Sequence, residues 1–218
     1  MKITKYPQSC LLVETDSTRI LIDPGSFVAE EYHADQFGKI DAVLITHEHA
    51  DHVHEQLVAA LKVGPTRVVA NSSTAALLDN NVTDVVNDGD VLEIGGLQVT
   101  ARELPHVAMI DGSPGPQNTG YVIGGVLFHP GDGVKIEGVH VPVGAIPIAG
   151  PDLSARDAYD LAMSIGCKVM IPIHFDYFQE NPEVIAGQVA SKGNPFKVVV
   201  LKNGESYDTD SDDTLTAS

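Results

Sequence analysis

The sequence predicts an α/β fold in which two mixed β-sheets pack as a sandwich with helices outside. Apolar runs of strand length give way to segments of helical period in two successive halves, each opening on hairpins and closing on strand–helix units. No linker separates the halves, and 218 residues suffice for one substantial core. The pattern is that of one domain over residues 1–204, followed by an acidic tail over 205–218.

Residues 10–14 and 19–22 are apolar-rich strands joined by Thr15-Asp16-Ser17-Thr18, a hairpin signal. Asp23-Pro24-Gly25 then turns the chain. Residues 41–46 read as a strand buried on both faces. Beyond it Val53, Leu57, Val58 and Leu61 recur at helical spacing, with Asp51 where an N-cap would sit. A short strand at 68–70 precedes a helix at 72–78, opened by Asn71 or Ser72. Residues 91–94 and 97–104 flank Gly95-Gly96, and 121–123 and 126–129 flank Gly124-Gly125, so both pairs form hairpins with double-glycine turns. Between them 109–118, rich in Gly, Pro and Ser, forms a loop. The last third alternates strand 143–148, helix 154–164, strand 168–173, helix 182–190 and strand 197–201. Ser154 with Asp157 is a loose capping box, since its last position prefers Glu or Gln. After Leu201 the acidic run through Asp213 has no apolar anchor and is expected to be a solvated, frayed end.

Hydrophobic residues make up 43% and charged residues 20%, the balance of a soluble globular protein. No apolar run approaches a membrane span and the first residues lack the apolar core of a signal peptide, so a cytoplasmic protein is expected. Cys10 and Cys167 sit among apolar neighbours and read as buried, reduced thiols. Thirteen Lys and Arg against thirty Asp and Glu leave a net charge of −17. Such a surface repels a phosphate backbone, so nucleic acid is a poor partner; a small-molecule substrate fits better, and homo-oligomerisation stays open. Bound divalent cations would locally offset that charge.

The chemistry concentrates in Thr46-His47-Glu48-His49-Ala50-Asp51-His52, three imidazoles and a carboxylate besides Glu48 directly after an apolar strand. His47 and His49 are two apart and leave the same face of an extended segment, whereas Glu48 points the other way. Asp51 and His52 follow as the chain turns. One ion cannot comfortably take all four groups from so short a segment, which favours two adjacent metals over a solvated polar loop.

This stretch resembles the THxHxDH signature of the metallo-β-lactamase superfamily. The resemblance extends over about residues 1–202, and in spacing it is closest to small hydrolases of the ribonuclease Z-like or L-ascorbate-6-phosphate lactonase-like group, through segments 118–123, 128–132, 145–150 and 171–176. It implies a four-layer αββα sandwich. It further implies that His47, His49 and His106 hold one metal, that Asp51, His52 and His174 hold the other, and that Asp132 bridges them. His106, Asp132 and His174 each follow a predicted strand, where rigid backbone suits a preorganised site. Asp23, at the end of another strand, corresponds to a residue that orients a ligand. His129 either lines the site or serves structure, and Asn118 either touches substrate or shapes a turn. His33, His54 and His140 are expected at the surface. Where relatives often carry a histidine after the Pro-Ile-Gly segment, this chain has Pro151-Asp152, and neither the RNA-acting histidine nor a long basic arm of ribonuclease Z is identifiable, which argues against tRNA processing.

The function so implied is a dinuclear metal-dependent hydrolase. A metal-bridging hydroxide would attack an ester-type bond (phosphodiester, lactone or thioester) of a small molecule, with Asp51 and Asp132 as the catalytic carboxylates. Imidazole-rich sites with a few carboxylates suit two Zn²⁺, with Mn²⁺ or Fe²⁺ as alternatives. The competing readings are an iron-dependent oxidoreductase of the same fold and a non-catalytic metal-binding sensor. His49 stands where the diiron flavoprotein branch typically carries Glu, and the complete ligand set is unlike a sensor that has lost turnover.

Overall fold

A computed structural model of the chain describes residues 1–150, 153–178, 180–212 and 215. Pro151, Asp152 and the end of the tail, including Asp213, lie outside the described residues. The first sheet starts with an antiparallel meander, β1 (Lys2–Lys5), β2 (Leu11–Glu14) and β3 (Arg19–Ile22). It continues in parallel through β4 (Ala42–Leu44), β5 (Arg67–Ala70) and β6 (Asp84–Val85). Helices α1 (Ser26–Glu31), α2 (Glu55–Leu61) and α3 (Ser72–Leu78) connect its parallel strands. The second sheet repeats the plan: antiparallel β7 (Val91–Ile94), β8 (Leu97–Glu103), β9 (Thr119–Ile123) and β10 (Leu127–His129), then parallel β11 (Val143–Pro147), β12 (Val169–Ile173) and β13 (Lys197–Val198). Helices α4 (Ala155–Ser164) and α5 (Pro182–Ala190) join its parallel strands.

Alternation along the strands makes this four layers. Leu11, Val13, Ile20 and Ile22 point between the sheets, against Val99, Tyr121, Ile123 and Ile171. Their neighbours Leu12 and Leu21 point outward, onto Leu57, Val58 and Leu61 of α2. On the far side Phe128, Ile146 and Met170 pack against Leu161 of α4 and Ile185 of α5. Both faces of the central strands are buried, so β4, β11 and β12 read as nearly continuous apolar runs, whereas β7 and β8 at the edge of the second sheet leave one face open. The predicted αββα sandwich is the observed one. Cys10 and Cys167 are free and buried, and among the described residues no helix is long and apolar enough to cross a membrane.

Three expectations need correction. Helix α2 is capped by His54, whose Nδ1 accepts from the Leu57 N–H at 3.3 Å, and not by Asp51, whose carboxylate is held elsewhere. The final strand of the second sheet stops at Val198 rather than continuing to Leu201. Part of the acidic tail is ordered: Ser206–Asp208 form β14, antiparallel to β1 with Ile3 opposite Tyr207. The anchor is Tyr207, only 8% exposed, while Ser206 and Asp208 face out and keep the segment polar in composition. The capping box at Ser154 and Asp157 does form.

Removing residues 205–218 should therefore cost about 2–3 kcal/mol, from the burial of Tyr207 and the lost strand pairing. Urea unfolding measures this, and an unchanged midpoint would show the segment to be dispensable.

Candidate metal centre

The parallel strands of both sheets end on one edge of the sandwich, and the polar residues that follow them meet there. Thr46 follows β4, Asp23 follows β3, Asp132 follows β10 and His174 follows β12. The sheets are tied together at this edge: Thr119 N–H donates to Thr46 O at 2.9 Å, and Tyr121 Oη–H donates to Ile45 O at 2.8 Å. The loop from His47 to His52 is pressed onto the Asp23-Pro24-Gly25 turn. A side chain on Gly25 would put its Cβ 2.0 Å from the Asp51 carbonyl oxygen.

Four imidazoles are oriented by the same device, an acceptor that takes the Nδ1 proton and leaves Nε2 for the centre. Asp23 is fully buried, and its Oδ2 accepts from His52 Nδ1 at 2.7 Å. The same carboxylate accepts from Thr46 N at 2.8 Å and from the Thr46 hydroxyl at 2.7 Å. That hydroxyl oxygen, its proton given to Asp23, accepts from His47 Nδ1 at 3.0 Å. His106 Nδ1 donates to Val107 O at 2.5 Å and His174 Nδ1 to Ala149 O at 2.8 Å.

The freed atoms converge on Asp132. Its Oδ1 lies 3.2 Å from His52 Nε2, without the alignment of a hydrogen bond. Its Oδ2 lies 3.2 Å from His174 Nε2, 3.5 Å from His106 Nε2 and 4.0 Å from His47 Nε2. His49 meets His47 edge-on, with Nδ1 3.1 Å from His47 Nε2. Asp51 Oδ2 lies 3.1 Å from His174 Nε2. The seven residues fall into two groups able to hold a cation, His47, His49, His106 and Asp132, and Asp51, His52 and His174, with ligand atoms within 4.8 Å of one another in each. His52 Nε2, His106 Nε2 and Asp132 Oδ1 are buried without a hydrogen-bond partner. Buried polar atoms left unmatched at one spot are costly, so this donor set fits divalent metal.

Electrostatics divide the imidazoles. Burial opposes charge on His52, but the carboxylates of Asp132 and Asp23 outweigh it and hold its pKa well above the ordinary value. Burial likewise opposes charge on His174, and Asp132 outweighs it, pushing the pKa up to about 9. His47 is driven down by burial and then by the neighbouring charge of His52. Burial would raise both Asp132 and Asp51, yet the imidazoles of His52 and His174 keep both below the usual carboxylate range.

The remaining predicted residues stand behind this layer. His129 is buried, donating from Nε2 to Ser9 O at 2.8 Å and accepting from Gly131 N at 3.2 Å. Asn118 is buried as well. Its Oδ1 accepts from Asp132 N at 3.2 Å and its Nδ2 donates to Pro130 O at 2.9 Å, which shapes the turn that aims Asp132. Gly131 in that turn has φ +59 and would place a Cβ 2.3 Å from Asn118 Oδ1.

Gln8 has no motif and is not legible in the sequence. Its Nε2 donates to Asp51 Oδ2 at 3.1 Å, its Oε1 accepts from Tyr177 N at 3.0 Å, and its carbonyl accepts from His174 N at 3.1 Å. Its own N–H donates to Asp176 Oδ2 at 2.8 Å, and Asp176 in turn holds the fully buried Lys5 ammonium at 2.8 Å. Gln8, Asp23 and His174 have φ of +60, +47 and +62, three of the five non-glycine residues with positive φ among the described residues. Such strain persists only where surrounding contacts over-determine it. The nearest available signal was the Asp176 that follows His174. In front of the centre a cavity of about 330 Å³ is walled by Phe27, Met109, Tyr177 and Phe178.

Gln8→Ala should fold normally and lose about 10- to 100-fold in cation affinity or turnover, the effect of removing a residue that orients a ligand. His140→Ala, at an exposed site, should change neither. Competition titration with a chromophoric chelator measures both, and equal behaviour would remove Gln8 from the site.

The model for the beta-lactamase superfamily domain matches residues 2–174. A protein of Mycobacterium tuberculosis is 33% identical over 181 residues, covering 80% of this chain and 84% of its own. A protein of Methanopyrus kandleri named as a metal-dependent hydrolase is 30% identical, covering 95% of this chain and 100% of its own. A solved metallo hydrolase from Ignicoccus hospitalis superposes with a TM-score of 0.76 at 24% identity, over 94% of this chain and 97% of that one. By sequence, by fold and by the residues gathered at its strand ends, the chain belongs to the metallo-β-lactamase superfamily, among its metal-dependent hydrolases.

Proposed function

We propose that this metal-dependent hydrolase works with two divalent ions, one held by His47, His49 and His106 and one by Asp51, His52 and His174, with Asp132 between them. The observation that carries the reading is the pair of adjacent ligand groups, with partnerless buried Nε2 atoms on His52 and His106 and Asp132 set between them. Zn²⁺ suits so imidazole-rich a set, with Mn²⁺ and Fe²⁺ as alternatives. Such ions supply a water acidified to near neutral pH and positive charge where the transition state becomes negative.

The protein's own groups do the positioning. Asp51 Oδ2, kept ionised and steadied by Gln8 and His174, is placed to accept a hydrogen bond from the attacking water. Asp23, Thr46, Val107 and Ala149 keep four of the five imidazoles, all but His49, in one tautomer, so these four need not reorganise during reaction. The cavity of about 330 Å³ admits a small molecule, and an ester-type bond is the reading that this combination supports.

Asp132→Ala should lose most bound metal and lower turnover more than about 100-fold, while His140→Ala keeps both; elemental analysis and ester hydrolysis measure this. Equal loss in the two variants, or full activity in the first, would overturn the reading.

Metal uptake should release protons. A cation must displace protons from His52 and from His174, whose pKa is raised to about 9, so apparent affinity rises with pH toward that range and weakens as pH falls. Calorimetric titration in buffers of different ionisation enthalpy reads the released protons; pH-independent binding would contradict it.

A further inference from the structure

We propose that the substrate is an uncharged small molecule presenting an apolar acyl group to the wall formed by Phe27, Tyr177 and Phe178, and that phosphate esters are poor substrates. This rests on the hydrolase reading above and narrows the bond to a carboxylic ester, lactone or thioester.

The first support is the wall itself. Ring centroids run from Phe27 to Tyr177 at 5.5 Å, from Tyr177 to Phe178 at 5.1 Å, and from Phe178 to His174 at 5.6 Å. Aromatic surface thus continues from the mouth to a residue of the centre. Tyr177 is 62% exposed and Phe178 37% exposed, a contiguous apolar area that burial of a ligand would cover.

The second support is the distribution of positive charge. None of the thirteen Lys and Arg falls in residues 20–38, 40–61, 103–134, 136–155 or 169–191. Every segment that borders the cavity lies within those stretches. Lys5 approaches through Asp176, but its ammonium is buried and bonded to Asp176, Asn203 and the Tyr6 carbonyl. Among the described residues lining the cavity there is thus no Arg or Lys to take the non-bridging oxygens of a phosphate, the task usually given to those side chains. The same segments carry exposed Glu30, Glu31, Asp111 and Glu180, so any attraction for an anion comes from the two bound cations alone, and the rim of the cavity adds none.

The reaction is redox-neutral. The oxygen of water bonds to the acyl carbon and the acyl–oxygen or acyl–sulfur bond breaks. One water proton passes to the leaving alkoxide or thiolate, and the other ionises from the carboxylic acid formed.

The test uses the full chain loaded with Zn²⁺ and substrates that share a 4-nitrophenol leaving group: the acetate, butyrate and hexanoate esters, and bis(4-nitrophenyl) phosphate. kcat/KM should rise about fourfold for each methylene the wall covers. The phosphodiester should be the poorest of the set. Phe178→Ala should lower the hexanoate value about tenfold and flatten the chain-length series, since the lost surface acts on the acyl chain. A phosphodiester preference, or a flat series in the unaltered protein, would overturn the proposal while leaving the hydrolase reading intact. Absence of turnover with any substrate despite bound Zn²⁺ would instead count against the hydrolase reading. Calorimetry then still decides the surface. Binding of 4-phenylbutyramide but not phenyl phosphate, lost in Phe178→Ala, supports the apolar site, and the reverse order overturns it.

Discussion

One buried carboxylate holds this centre in order. Asp23 accepts three hydrogen bonds, two from Thr46 and one from His52, and through the Thr46 hydroxyl it also sets the tautomer of His47. A fully buried carboxylate is costly unless its lone pairs are matched, so the group and its partners fix one another. The consequence is directional. Two imidazoles on the same loop are compelled to turn Nε2 toward Asp132, while backbone carbonyls do the same for His106 and His174 from the second sheet.

This arrangement conflicts with local backbone preference, and the sandwich sustains it. Gln8, Asp23 and His174 all occupy positive φ, and Gly25 and Gly131 leave space for backbone or side chain to come where a Cβ would collide. The apolar layer between the sheets, joined at this edge by Thr119 and Tyr121 bonding to the end of β4, keeps the strand ends in register. Candidate ligands from both sheets therefore meet only because the two halves of the chain pack face to face.

Much of this was legible in the sequence. Apolar runs of strand length marked the central strands, residues 41–46 as one buried on both faces, and the double-glycine turns marked two hairpins. His47 to His52 stood out because ligand residues crowd one strand end, and the superfamily resemblance then pointed to His106, Asp132 and His174. Other features left no local trace. Gln8 acts through contacts 43 and 169 positions away in the chain, to Asp51 and Tyr177, which no spacing rule reaches. Strand β14 hid in an acidic run because only Tyr207 faces inward. The expected cap at Asp51 failed for a tertiary reason: Gln8 and His174 claim that carboxylate, and His54 caps the helix instead. His129 stood out as lying shortly before Asp132, and Asn118 as a residue that either touches substrate or shapes a turn; both spend their polar atoms on backbone behind the site.

The central claim is that the two ligand groups act as two metal sites sharing Asp132. Anomalous diffraction from crystals grown with excess Zn²⁺, recorded on both sides of the zinc absorption edge, tests it most directly. The account predicts two peaks per chain at this strand edge, one among His47, His49 and His106 and one among Asp51, His52 and His174, each touching Asp132. A single peak, or peaks away from these residues, would contradict it.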